Sequence, residues 1–124
     1  MDPTKLGAAL HEGLRLTRPA IPTEKALGDA VARMLWERGY RFEREYELAP
    51  RDRPDFVVGL APVIAVELKV KSSPAEVMRQ LARYAEHPDV SGMLLITTRS
   101  AHTSLPATLG GKPLAVCLIT DLYL

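Results

Sequence analysis

Apolar residues recur along this 124-residue chain with two different periods. Between Thr23 and Arg38, Leu27, Val31, Met34 and Leu35 return at helical spacing, Pro22 precedes them, and Gly39 stands where a helix C-terminus favours glycine. This predicts a first helix over about 23–38. Tyr40, Phe42, Tyr46 and Leu48 then alternate with Arg41, Glu43, Glu45 and Glu47, the period of a half-buried strand, and Arg44 alone breaks the apolar side. The runs DFVVG and VIAVELKV, separated by the turn residues Gly59-Leu60-Ala61-Pro62, predict a hairpin. Ser73-Pro74-Ala75-Glu76 combines an N-cap serine, a proline at the first helical position and a glutamate three residues after the cap. A second helix starts there, carries Val77, Leu81, Tyr84 and Ala85 on one face, and should end near His87-Pro88. GMLLITT and PLAVCLIT predict two further strands, and RSAHTSLPATLGGK between them a loop with room for one helical turn.

The order α-β-β-β-α-β followed by one more strand predicts an α/β fold. Its central sheet should be mixed and flanked by helices, because the connection through the second helix is long enough for a parallel return. Residues 1–21 carry Pro3, Gly7, Gly13 and Pro19 without sustained periodicity. They are expected as an N-terminal lead-in, loosely attached, with LGAALHEGLRL able to form one short helix. Residues 22–124 are expected as a single domain.

Composition narrows the function classes. No apolar stretch approaches the roughly 20 residues that span a bilayer, and MDPTKLGAALHEG lacks the basic-then-apolar order of a secretory signal. A cytoplasmic protein without a membrane partner is expected. The single cysteine, Cys117, excludes an internal disulfide and any cysteine-built zinc or iron–sulfur centre within one chain. Net charge is +1, so any basic surface must come from local arrangement. His11, His87 and His102 are scattered without metal-ligand spacing; His87 reads as a helix C-terminal residue and His102 as a loop residue. Gly110-Gly111-Lys112 lacks the spacing of a phosphate loop.

The hairpin stretch RPDFVVGLAPVIAVELKVK carries charges where an ordinary buried hairpin has none. Strand alternation puts Glu67 and Lys69 on one side, and closing the hairpin brings Asp55 opposite the Glu67 end. Two carboxylates held together repel, and burial makes each harder to ionise, so a cation between them is the stable solution. Mg²⁺ suits such a pair because it takes oxygen ligands and usually needs only one or two carboxylates. Asp55, Glu67 and the Leu68 carbonyl supply candidate ligands, and Lys69 a charge able to hold a water and stabilise a phosphate. The plainer alternative is a solvated strand face with a salt-bridge network.

Arg53-Pro54-Asp55, eleven intervening residues, and Glu67-Leu68-Lys69 at the end of an apolar strand together resemble the active-site signature of the PD-(D/E)XK nuclease superfamily. The resemblance covers about residues 23–98 and implies a restriction-endonuclease-like α-β-β-β-α-β core in which Asp55 and Glu67 bind Mg²⁺ or Mn²⁺ and Lys69 serves catalysis. Gln80-Leu81-Ala82-Arg83-Tyr84 on the following helix is similar to the Gln-x-x-x-Tyr motif of the RecB and lambda-exonuclease branch, which implies that Gln80 and Tyr84 position DNA and the lysine. Many members also use an acidic residue of the first helix; Glu24 is the candidate, and Gly28 on its face permits close approach of another backbone. First-turn placement favoured by the helix dipole explains Glu24 equally well.

The implied partner is DNA, and the implied activity is metal-dependent deoxyribonuclease in recombination, repair, phage DNA processing or defence. A homodimeric Holliday-junction resolvase, a part of a larger DNA-processing complex and a non-catalytic nuclease-like DNA- or protein-binding module are the alternatives. Arg41, Arg44, Arg51, Arg53, Lys69, Lys71, Arg79, Arg83 and Arg99 surround the motif segments and are expected either as one basic face or as partners of Glu43, Glu45, Glu47 and Glu86. The iron–sulfur members of the RecB-like branch need four cysteines, which this chain lacks.

Overall fold

Leu6, Leu10 and Leu14 stand four residues apart on helix α1 (Pro3–Thr17), and all three are shut off from solvent. Each such leucine contributes on the order of 1.5–3 kcal/mol by its burial. The segment expected as a loosely attached lead-in is thus a 15-residue helix built into the core. Its glycines do not interrupt it; they let it sit close. A Cβ on Gly7 would meet Leu94 at 3.0 Å, and one on Gly13 would meet the Met34 sulfur at 2.3 Å. The structure is a computed structural model and describes residues 2–17 and 23–119. Residues 18–21 of the expected lead-in, and Thr120 at the end of the expected last strand, lie outside them.

Helix α2 (Glu24–Glu37) begins at Thr23, whose hydroxyl accepts from the Ala26 N–H at 3.1 Å, and buries Leu27, Val31, Met34 and Leu35. Strand β1 covers only Phe42–Arg44, much less than the alternation at 40–48 predicts. Glu45 takes φ +50°, the left-handed region, which turns the chain out of the sheet. The hairpin forms as expected, from β2 (Phe56–Val58) and β3 (Val63–Lys69). Ser73 caps α3 (Pro74–Ala85), its hydroxyl accepting from the Glu76 N–H at 3.3 Å. Strand β4 (Val90–Thr97), a short 3₁₀ turn at Ser100–Ser104, β5 (Thr108–Leu109) and β6 (Lys112–Leu118) complete the order.

The six strands form one mixed sheet in the order β1-β2-β3-β4-β6-β5. The β1-β2-β3 meander is antiparallel, β3-β4 and β4-β6 run parallel, and β5 pairs antiparallel with β6. Side-chain alternation then assigns the two faces. Phe56, Val66, Leu68, Leu94, Ile96 and Cys117 meet α1 and α2, whereas Ala65, Met93, Leu95 and Leu114 meet Val77, Leu81 and Tyr84 of α3. The fold is therefore α/β, an open mixed sheet with helices on both faces. Among the described residues no helix is long and apolar enough to cross a membrane.

Candidate active site

The register Phe56↔Val66 across the hairpin sets Asp55 beside Glu67, because the residue before one partner faces the residue after the other. Glu67 shares the α3 side of the sheet with Ala65 and is only 3% exposed. Asp55 accepts from the Leu68 N–H at 2.7 Å through Oδ2, and its own N–H lies 3.4 Å from Glu67 Oε1. Lys69 Nζ stands 3.2 Å from Glu67 Oε2. From α3, the Tyr84 hydroxyl donates to Glu67 Oε1 at 2.9 Å, and Gln80 Nε2 donates to the Tyr84 oxygen, also at 2.9 Å. Helical i, i+4 spacing is what lines Gln80 up behind Tyr84.

Gln80 and Tyr84 therefore brace Glu67. Tyr84 is wholly buried, and its hydroxyl reaches the Glu67 carboxylate. Asp55, Glu67, Lys69, Gln80 and Tyr84 form one connected group built from two strands and a helix, with the lysine as its cation.

The electrostatics of this group are strained. Burial, reinforced by the neighbouring Asp55 charge, pushes the Glu67 carboxyl up to about 7, against the opposing pull of Lys69 and the Tyr84 hydrogen bond. Burial also raises Asp55, with Glu24 adding to the effect and the Leu68 N–H and Lys69 opposing it. Tyr84 is driven far above its ordinary value by burial and by Glu67, so it stays a protonated donor.

Glu24 opens α2 and accepts from the Val70 N–H through Oε1 at 3.4 Å. It borders a cavity of about 290 Å³ together with Asp55 and Leu68. Gly28 on the same helix does permit a close approach, although of a side chain and not of another backbone: a Cβ there would meet Arg44 Nη2 at 3.0 Å.

Two polar groups escape the sequence reading. Asp52, in the loop before Asp55, receives Arg83 Nε at 2.8 Å on one oxygen and lies 2.9 Å from His87 Nε2 on the other. Arg83 and His87 are four apart at the end of α3, the one available signal, but their partner lies 31 and 35 residues away. His87 is thus a clamp on the Asp55 loop as well as a residue beyond the helix end. Asp52 is held below its ordinary value by these two partners, Arg83 first. His102, expected as a loop residue, is fully buried, with Nδ1 2.6 Å from Thr97 Oγ1 and Nε2 2.7 Å from the Ser72 carbonyl. It ties the end of β4 to the corner between β3 and α3.

Several of the basic residues are held in ion pairs. Arg44 pairs with Asp29, Arg53 with Glu47, and Arg83 with Asp52, while Arg41 borders a separate groove with Tyr46 and Leu60.

Among the described residues no cluster of three His, Cys, Asp or Glu side chains forms a ready-made metal cage. The pair Asp55–Glu67 nonetheless fits a hard divalent cation. Its donors are carboxylate oxygens, burial raises both, and the Asp55 charge adds to the cost of ionising Glu67. Searches against protein-family models, curated proteins and solved structures give no match to this chain.

Proposed function

We propose that this protein is a metal-dependent deoxyribonuclease of the PD-(D/E)XK type that hydrolyses DNA phosphodiester bonds. The observation that carries the reading is the buried Glu67 with the half-buried Asp55 beside it and Lys69 Nζ at 3.2 Å from Glu67. A salt-bridge network alone has no use for a carboxylate raised to about 7 beside a second raised one. A decayed, non-catalytic site likewise has no chemical reason to retain all three charges and the helix that braces them. Asp55 and Glu67 would hold Mg²⁺ or Mn²⁺, with the Leu68 carbonyl and Glu24 beside them. Such an ion supplies charge stabilisation at the phosphate and eases deprotonation of a bound water. Lys69 orients the attacking water and meets charge developing on the phosphate. Tyr84, backed by Gln80, keeps Glu67 in one rotamer, and the hairpin keeps Asp55 beside it.

Purified protein is expected to cleave DNA with Mg²⁺ or Mn²⁺ and to stop on addition of EDTA. Lys69→Ala is expected to lower cleavage by at least 10²-fold with an unchanged circular-dichroism spectrum. Testing linear ends, flaps, single strands and four-way junctions side by side identifies the preferred DNA. Persistent cleavage in Lys69→Ala refutes the assigned role, and metal-independent DNA binding without cleavage refutes the enzyme.

A further inference from the structure

Arg44 is the residue that breaks the apolar alternation of its strand, and three contacts hold it where it breaks. Its Nη1 donates to Asp29 Oδ1 at 3.2 Å. Its guanidinium carbon lies 5.3 Å from the centroid of the Phe56 ring, a cation–π contact. Its Nη2 packs close to Gly28, 3.0 Å from where a Cβ would stand. Asp29 accepts one of the guanidinium N–H groups, and the others have no acceptor among the described residues.

The backbone beside it is also unusual. Glu45 adopts φ +50° while its N–H donates to the Asp55 carbonyl at 2.9 Å. A non-glycine residue in that region costs about 1–2 kcal/mol. The turn ends β1 at Arg44 and fastens it to the residue that carries the candidate metal ligand. Arg44 and Lys25 thereby line the same cavity of about 290 Å³ as Asp55 and Glu24, with the exposed Glu45 also at its rim. Lys25 Nζ lies 3.2 Å from the second oxygen of Asp29, so two cations share one carboxylate. An exposed arginine–aspartate pair is by itself worth little. It explains neither the glycine that makes room nor the backbone turn that follows.

We infer that this cavity is a phosphate subsite in which Arg44, with Lys25 as a second cation, holds a phosphate group of the nucleic-acid strand presented to Asp55 and Glu67. The inference deepens the deoxyribonuclease reading and rests on it for the identity of the ligand. A guanidinium presents a planar fork that matches phosphate oxygens two at a time. Fixing it beforehand against Phe56 and Gly28 lowers the ordering cost on binding.

The test is fluorescence anisotropy with fluorescein-labelled single-stranded and duplex oligonucleotides, each with and without a 5′-phosphate, in EDTA and in CaCl₂ across an NaCl series. Arg44→Gln is expected to raise Kd roughly tenfold. It is also expected to make the slope of log affinity against log salt shallower by about 0.7 for single strands and about 0.9 for duplex. A loss equal on all substrates assigns the subsite to an internal phosphodiester; a loss confined to 5′-phosphorylated strands assigns it to a terminal phosphate. Asp29→Asn, which frees both cations from their carboxylate, is expected to tighten binding about threefold. It decides the matter if Arg44→Gln melts at a lower temperature. Unchanged Kd and salt slope in Arg44→Gln, weaker binding in Asp29→Asn, or no binding by the wild-type protein overturns the subsite. Cleavage with Mg²⁺ is scored separately. A wild-type protein that binds through Arg44 but cuts nothing keeps the subsite and loses the nuclease, and one that cuts with Arg44→Gln binding unchanged does the reverse.

Discussion

The Tyr84 hydroxyl and Glu67 Oε1 meet at 2.9 Å with both residues sealed from solvent. That hydrogen bond favours the ionised carboxylate, against burial and against Asp55. Tyr84→Phe should therefore leave Glu67 holding its proton to higher pH. In a pH–rate profile of cleavage, the acidic limb is expected to move upward, with about 1 kcal/mol lost in stability. An unmoved limb would make Tyr84 a packing residue only.

Metal and proton compete for the same oxygens. With Glu67 titrating at about 7, Mn²⁺ affinity measured by calorimetry is expected to fall roughly tenfold per pH unit below neutrality and to level off above it. A pH-independent affinity between 5.5 and 8 would separate the cation from Glu67.

Stability without metal should depend on pH with a definite sign. The Glu67 value is raised on folding from 4.5 to about 7, so across that interval the folded chain binds the extra proton. Stability from this group is complete below the unfolded value and is lost as pH rises through the folded one. Glu67→Gln imitates the protonated form and can keep the hydrogen bond from Tyr84. In EDTA at pH 8 it should be more stable than wild type by on the order of 1–3 kcal/mol, and indistinguishable near pH 4. Cleavage should be abolished. Destabilisation at pH 8, measured by urea unfolding, would show that the Lys69 contact outweighs the burial cost.

Asp52 holds the loop that delivers Asp55, through Arg83 and His87. Its depressed value means that its contribution is present above the unfolded value and lost as pH falls through the folded one. Asp52→Ala is expected to cost about 1–2 kcal/mol. It should also lower kcat more than it raises KM, because the loop then holds Asp55 less firmly. A loss of stability with kcat intact would confine Asp52 to the scaffold.

The hairpin, the Ser73 cap and the Asp55–Glu67–Lys69 grouping were legible in the sequence because each rests on short-range alternation or on helix-start chemistry. A short helix at LGAALHEGLRL was legible, but not its full length or its place in the core, because Gly7 and Gly13 read as breaks; their role is close packing against Leu94 and Met34, which only the assembled fold exposes. The early end of β1 was hidden for a related reason: alternation continues to Leu48, and nothing local announces the turn at Glu45. The clamps at Asp52 and His102 join residues 31, 35 and 30 positions apart, beyond the reach of any periodicity. Arg44 was visible as an exception to its pattern before its surroundings were.

Helix α1 lies over the far end of the sheet, and beneath it sits Cys117, the one thiol of the chain, 6% exposed. A thiol reagent can reach that sulfur when the first helix lifts, so the labelling rate of native protein acts as a clock for that opening. Leu10→Ala, which removes part of the helix's buried leucine row, should quicken the clock by more than about tenfold. The cysteine thus offers an intrinsic reporter of how firmly the N-terminal helix is latched.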